Sequence, residues 1–184
     1  MKIAFGFQIF SQQRYGGISR YFVKLAEQLL MLSHDLRIFA PLHKNRLLVD
    51  LPISVVHGRL LKSFPPKTSK LFNAYNFLVT KINLTTWEPV ILHETYYSPW
   101  SLSPKACRTV ITVHDMIHEL FSQYFPTSDL TTRIKRISVD RADHIICVSE
   151  NTKKDLIRIF SVPEYKISVV HHGVDIPVVH DKTC

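Results

Sequence analysis

Short apolar, β-branched runs alternate with stretches of helical periodicity along most of this chain. Lys2 to Phe7 reads as a buried strand, followed by a polar loop that ends at Gly16-Gly17. From Gly17 to Leu30 the residues Ile18, Tyr21, Phe22, Leu25 and Leu29 recur at helical spacing, with Arg20, Lys24, Glu27 and Gln28 on the other side. Asp35 to Ala40 predicts the next strand, stopped by Pro41, and Ile53 to His57 predicts a short one. Pro65-Pro66 breaks the chain before a helix predicted over 68–82 that carries Leu71, Tyr75, Leu78 and Ile82. Two apolar runs, Val90 to Leu92 and Val110 to Val113, each lead into a histidine. A helix is predicted from Asp129 to Ala142, with Leu130, Ile134 and Ile137 on one face and Thr127 or Ser128 as its cap. His144 to Val148 is a strand, Glu150 to Phe160 a helix capped by Ser149, and Lys166 to Val170 the last strand.

Parallel strands need long crossovers, so this alternation implies helices on both faces of a parallel sheet. The expected fold is α/β: one doubly wound, mostly parallel sheet of six or seven strands over residues 1–174. Residues 175–184, which open with Asp175-Ile176-Pro177, read as a linker or truncated end.

Composition narrows the partners. The chain has 184 residues, enough for one well-buried domain, and its 46% apolar and 21% charged residues are a globular balance. A formal net charge of +8 favours anionic partners. No apolar run is long enough for a membrane span, and the start is too short for a signal peptide. Cys107, Cys147 and Cys184 form no CxxC pair, so a reducing, cytoplasmic setting is expected.

In open parallel sheets, ligands gather at the carboxyl ends of the strands. Five polar clusters fall there: Gly16-Gly17, His93-Glu94-Thr95, His114-Asp115, Ser149-Glu150-Asn151 and His171-His172-Gly173. Gly16-Gly17 does not have G-x-G-x-x-G spacing, but paired glycines at a helix start let backbone N–H groups approach an anion; a tight turn is the plainer alternative. His114 suits acid–base work or orientation of a substrate hydroxyl, or else a bond to a backbone carbonyl. His114, His118 and Glu119 have a spacing seen in metal sites, yet no H-E-x-x-H is present and no metal site is expected. His93 and Glu94 with Tyr96, Tyr97 and Trp100 make an aromatic-rich loop that suits either a sugar or plain packing. Between Leu42 and Trp87 seven basic residues face one acid, Asp50, which suits either a solvated face or an anionic membrane surface. No nucleic-acid motif accompanies them, and nucleic acid is not an expected partner.

Four segments resemble family 4 glycosyltransferases of the GT-B fold: Gly16-Gly17-Ile18-Ser19-Arg20-Tyr21, Val113-His114-Asp115, Ala142 to Ser149 running into Glu150-Asn151-Thr152-Lys153, and Ile167 to Asp175. The resemblance spans nearly the whole chain, in order. It implies the Rossmann-like N-terminal, acceptor-side half of an enzyme with two facing domains. Such enzymes transfer a sugar from a nucleotide donor to a saccharide or lipid-linked acceptor, with retention, no essential metal and no cofactor; the nucleotide sugar is a substrate. By position in these motifs His114 is the expected catalytic residue. Gly16, Gly17, Arg20, Asp115, Ser149 and Gly173 are expected at the donor diphosphate or substrate, and His93, Glu94 and Tyr96 at the acceptor. The second domain should hold most of the nucleotide through a Glu-x7-Glu pair, and no two glutamates of this chain have that spacing. There is no Asp-x-Asp either, and His172 stands where the family usually has Asn. The expected partners are therefore the missing domain or a split partner chain, with peripheral contact at the inner face of a membrane. Alone, the chain is expected to be inactive; the competing expectations are a non-catalytic Rossmann-like binding module and a truncation relic.

Overall fold

The computed structural model describes residues 1–174. The linker or end expected over 175–184, and Cys184 with it, lies outside the described residues. Seven strands form one sheet, and every pairing in it is parallel. In chain order the elements are β1 (Lys2–Phe5), α1 (Gln8–Gln12), α2 (Gly17–Met31), β2 (Asp35–His43), β3 (Val56–Leu60), α3 (Ser69–Trp87) and β4 (Ile91–Glu94). They continue with β5 (Arg108–Val113), α4 (Ile117–Leu120), α5 (Thr131–Arg141), β6 (His144–Cys147), α6 (Glu150–Phe160) and β7 (Ile167–Val169). The strand order is β3-β2-β1-β4-β5-β6-β7. The chain winds outward from β1 to β3, returns through α3 to β4, and then winds the other way. Right-handed crossovers consequently set α2 on one face and α3, α5 and α6 on the other. The reversal lies between β1 and β4, where the doubly wound architecture opens its crevice.

Several boundaries differ from the sequence expectation for identifiable reasons. β1 stops at Phe5, and the polar loop after it contains the short helix α1, which buries Ile9 and Phe10. β2 runs through Pro41 to His43. Proline is tolerated there because β1 pairs with β2 only as far as Ile38, and the register against β3 shifts between Phe39 and Leu42. Beyond the proline, the amide of fully buried Asn76 closes both backbone groups of Leu42: Leu42 N donates to Asn76 Oδ1 at 2.8 Å and Asn76 Nδ2 donates to Leu42 O at 2.9 Å. β3 begins three residues later than expected, and Ile53 is 95% exposed. Within β3 only a glycine fits at position 58, since a Cβ there would lie 1.8 Å from the Ala40 carbonyl oxygen.

Helix α3 extends to Trp87 and ends at Glu88 in the left-handed conformation. Its buried residues are Asn76, Thr80, Leu84 and Trp87. The apolar series Leu71, Tyr75, Leu78 and Ile82 is on the opposite side, exposed. Helix α5 is likewise rotated from expectation: it buries Lys135, Ser138 and Val139, while Leu130 and Ile137 are exposed. Its first turn is held by Asp129, whose Oδ1 accepts from Thr131 N at 2.7 Å, rather than by Thr127 or Ser128. The buried face of α5 is polar because it covers polar loops at the ends of β4 and β5. Ser98 N donates to Ser138 Oγ at 2.9 Å, and Lys135 Nζ donates to Asp115 O at 3.0 Å.

The apolar interior falls into two clusters. One gathers Phe5, Phe10, Phe22, Ile38, Leu84 and Leu92 around β1, β2 and β4. The other gathers Ile111, Val113, Ile145, Leu156 and Phe160 around β5, β6 and α6. Each buried side chain of this size stabilises the fold by about 1.5–3 kcal/mol relative to exposure. Between them runs a polar seam in which His93 Nε2 and Thr112 Oγ1 are hydrogen-bonded at 2.9 Å and Arg141 pairs with Glu94.

Candidate functional site

Helix α2 starts at an extended Gly16, and its free N-terminal amides are only partly used. The Gln13 side chain turns back so that its Oε1 accepts from Ser19 N at 3.3 Å. A Cβ on Gly17 would meet nothing within 4 Å, so the first turn of the helix faces open space. The positive end of this 15-residue helix is therefore open to solvent, where the dipole and the terminal amides favour negative charge.

One turn into α2, Tyr21 reaches across to the end of β5. Its hydroxyl shares a hydrogen bond with Thr112 Oγ1 at 3.4 Å. Its ring lies 5.4 Å from that of His114 and 5.0 Å from that of His172, and the two histidine rings are 5.6 Å apart. Ile18, Tyr96, Tyr97, His114, Asp115 and Lys135 line a small cavity of about 30 Å³ here. The structure thus brings together three of the five expected clusters: the start of α2, the end of β5 and the segment after β7.

His114 Nε2 is buried and has no hydrogen-bond partner among the described residues. Burial, reinforced by the neighbouring His172, pulls its pKa down from 6.5 to about 4, so the ring is neutral near pH 7. An unsatisfied buried nitrogen at a strand end calls for a partner, and a substrate hydroxyl would satisfy it. Asp115 uses its Oδ1 to accept from Ile117 N at 3.1 Å, which fixes the turn after His114. The metal-like spacing dissolves into separate contacts: Glu119 accepts from Lys135 at 2.7 Å, and His118 pairs with Asp129 at 3.4 Å and stacks on Phe125.

The remaining expected residues divide. Gly173, like Gly17, borders open space. Arg20 is exposed on α2, next to Tyr21 in the chain. Ser149 serves as helix cap, its Oγ accepting from Thr152 N at 3.1 Å, as local spacing alone requires. Tyr96 belongs to the cavity, and burial raises its phenol. His93 and Glu94 do not lie on an open loop, as expected of acceptor contacts; they are the last residues of β4, paired to β5, and their side chains are buried, Glu94 against Arg141. The His93 ring packs edge-on against Phe5 and Phe22. Cys107 and Cys147 are buried, and burial raises both thiols, Cys147 to about 12, so neither is an available nucleophile.

Sequence reasoning missed Lys135 and Arg141. Lys135 Nζ, 1% exposed, is bound by Glu119 and by the Asp115 carbonyl and lies 5.4 Å from the Tyr97 ring centre. Arg141 donates to Ser98 O and to Glu94. Both hold the loop from Tyr96 to Trp100 against α5. On the far side of Tyr97 a wider groove of about 210 Å³ passes Gln8, Asn73, Phe77 and Trp100. Gln8 is 4% exposed; its Oε1 accepts from Thr95, while its Nε2 has no partner among the described residues. Amides beside an exposed indole ring suit a hydroxyl-rich ligand. Among the described residues no group of three or more His, Cys, Asp or Glu is placed to hold a metal, and no helix is long and apolar enough to cross a membrane.

A family model described as Glycosyltransferase Family 4 matches residues 15–177. Among solved structures, a glycosyltransferase from Rickettsia africae ESF-5 superposes with a TM-score of 0.56 at 17% identity, over 94% of this chain and 43% of that one. At that identity the likeness is one of fold, and the chain spans less than half the length of that structure. No curated protein matches.

Proposed function

The chain belongs to Glycosyltransferase Family 4, and from that premise we propose that it is the acceptor-side half of a retaining glycosyltransferase that moves a sugar from a nucleotide donor to a saccharide or lipid-linked acceptor. The observation that carries this reading is the buried, unpartnered Nε2 of a neutral His114 at the end of β5, beside the open N-terminus of α2. In this reading the donor diphosphate sits over Gly16-Gly17, where helix-terminal amides and the helix dipole favour negative charge. The transferred sugar lies against His114, which hydrogen-bonds one of its hydroxyls. Tyr21 and Asp115 hold the imidazole and its loop in place. The acceptor saccharide approaches along the groove past Gln8 and Trp100. The diphosphate clamp that stabilises the departing nucleotide comes from a second domain, because this chain has no Glu-x7-Glu pair.

The test is reconstitution. The chain is combined with a Family 4 second domain carrying Glu-x7-Glu, and transfer from a panel of nucleotide sugars is followed by product mass. His114→Ala is expected to lower transfer at least a hundredfold. Transfer that survives His114→Ala unchanged refutes the role of this histidine. Saccharide binding without transfer in any pairing identifies a non-catalytic binding module instead.

A further inference from the structure

We propose that Lys135 is a positioning residue for His114: its ammonium, neutralised by Glu119, fixes the turn that follows β5 and so sets where the imidazole points. The strand ladder cannot do this. The last residue of β5 paired to β6 is Val113, opposite Cys147, so His114 and Asp115 leave the sheet without strand partners. What holds them comes from α5. Lys135 Nζ donates to the Asp115 backbone oxygen at 3.0 Å and to Glu119 Oε2 at 2.7 Å, and it lies 4.0 Å from Asp115 Oδ1. Beyond Asp115 the turn is anchored by Met116, which is buried in the apolar cluster around β5, β6 and α6.

The buried pair is a poor stabiliser and a good clamp. Both side chains are 1% exposed, and Glu119 Oε1 has no hydrogen-bond partner among the described residues. Desolvating two charges costs more than their attraction returns unless every polar atom is satisfied, so apolar side chains of the same volume would serve packing equally well. Apolar side chains could not hold a carbonyl oxygen. The same ammonium lies 5.4 Å from the Tyr97 ring centre, and the Tyr97 phenol meets the backbone of His114. Tyr97 is also the wall shared by the cavity of about 30 Å³ at His114 and the groove of about 210 Å³ beside it. Lys135 therefore braces both the turn after His114 and the partition that separates His114 from the groove. A ligand in the groove presses on that braced ring rather than on the imidazole. The consequence for sugar transfer rests on the proposed transferase reading, whereas the clamp itself does not.

Carbethoxylation of His114 by diethyl pyrocarbonate near neutrality, located by peptide fragment masses, reads the clamp in the full chain without any nucleotide sugar. Nε2 is buried, so the wild-type reaction should be slow. Lys135→Met removes the clamp but strands the Glu119 carboxylate. Lys135→Met with Glu119→Met replaces the whole pair by apolar side chains and should unfold at close to the wild-type temperature. In both variants His114 should react about tenfold faster, the change in open population that loss of one charge-assisted hydrogen bond produces. Wild-type reactivity in the double variant would overturn the proposal, and loss of folding in the double variant would overturn it by assigning the pair to stability. With a second domain supplied, the double variant should lower kcat about a hundredfold, as a displacement of about 1 Å does, and leave the donor KM within about twofold. A raised KM at unchanged kcat would also overturn it. Loss of transfer in His114→Ala with full transfer in the double variant rejects the positioning role alone. Faster carbethoxylation with transfer that survives His114→Ala rejects the transferase reading of His114 alone.

Discussion

Acidification should destabilise this fold through His93 by an amount that follows from its burial. The ring is 5% exposed, its centre lies 5.7 Å from that of Phe5 and 4.9 Å from that of Phe22, and Nε2 is engaged with Thr112. Burial first, and the nearby His114 second, lower its pKa from 6.5 to about 3. Because the folded value is the lower one, the unfolded chain takes up the proton first. The contribution is fully present above pH 6.5 and is lost as pH falls from there toward 3. At about pH 5 the unfolded histidine is protonated and the folded one is not; about 1.5 units below 6.5, at ~1.4 kcal/mol per unit, gives a loss of about 2 kcal/mol. With a urea m-value of about 2 kcal/mol/M, the midpoint should fall by roughly 1 M from this residue alone. The assay is urea unfolding near neutrality and near pH 5, followed by the emission of buried Trp87. His93→Gln serves as the comparison, since it keeps a hydrogen-bonding group toward Thr112 without titrating. Every other histidine is common to both chains, so the difference between the two pH dependences isolates position 93. Parallel curves for wild type and His93→Gln would refute the reasoning.

Arg141→Met leaves the Glu94 carboxylate buried without its cation and should cost about 3–5 kcal/mol, measured by thermal unfolding; adding Glu94→Gln should restore a large part of it. Gly58→Ala drives a methyl into the Ala40 carbonyl and should cost about 1–3 kcal/mol, with the largest amide chemical-shift changes along β2 and β3. Asn76→Ala strands both backbone groups of Leu42 and should cost about 2–4 kcal/mol; a urea midpoint equal to wild type would count against that accounting.

The strand runs, helix α2 and the Ser149 cap were legible because each depends on neighbours within a few residues. The limits arise where distance in sequence decides. Lys135 and Arg141 look like ordinary surface cations in a polar helix, yet their carboxylate partners, Glu119 and Glu94, lie 16 and 47 residues upstream. Those partners turn α5 so that its polar side faces inward and Leu130 and Ile137 face out. Periodicity likewise locates α3 but does not say which of its two non-charged sides meets β2; the two hydrogen bonds from Asn76 to Leu42 settle that. His93 and His114 each follow an apolar run, but β4 continues through His93 while β5 ends at Val113. One histidine is thereby sealed in the sheet and the other is left at its edge. Helix α1 is five residues long with no side-chain cap, so it leaves no periodic signal.

The divided interior has a consequence for how the molecule opens. Among the described residues, eleven buried apolar side chains hold the β5–β7 half together, against twenty-one in the half built on β1, β2 and β4. Polar contacts and the β4–β5 ladder join the two, so the smaller half is expected to open as its own unit, with amide protons that exchange below the global unfolding free energy. Tyr21 comes from the larger unit, and Thr112 and His114 from the smaller. A molecule seated between the start of α2 and the end of β5 therefore staples the two together. Slower exchange in β6 and β7, far from any contact with the ligand, is the signature that occupancy would leave.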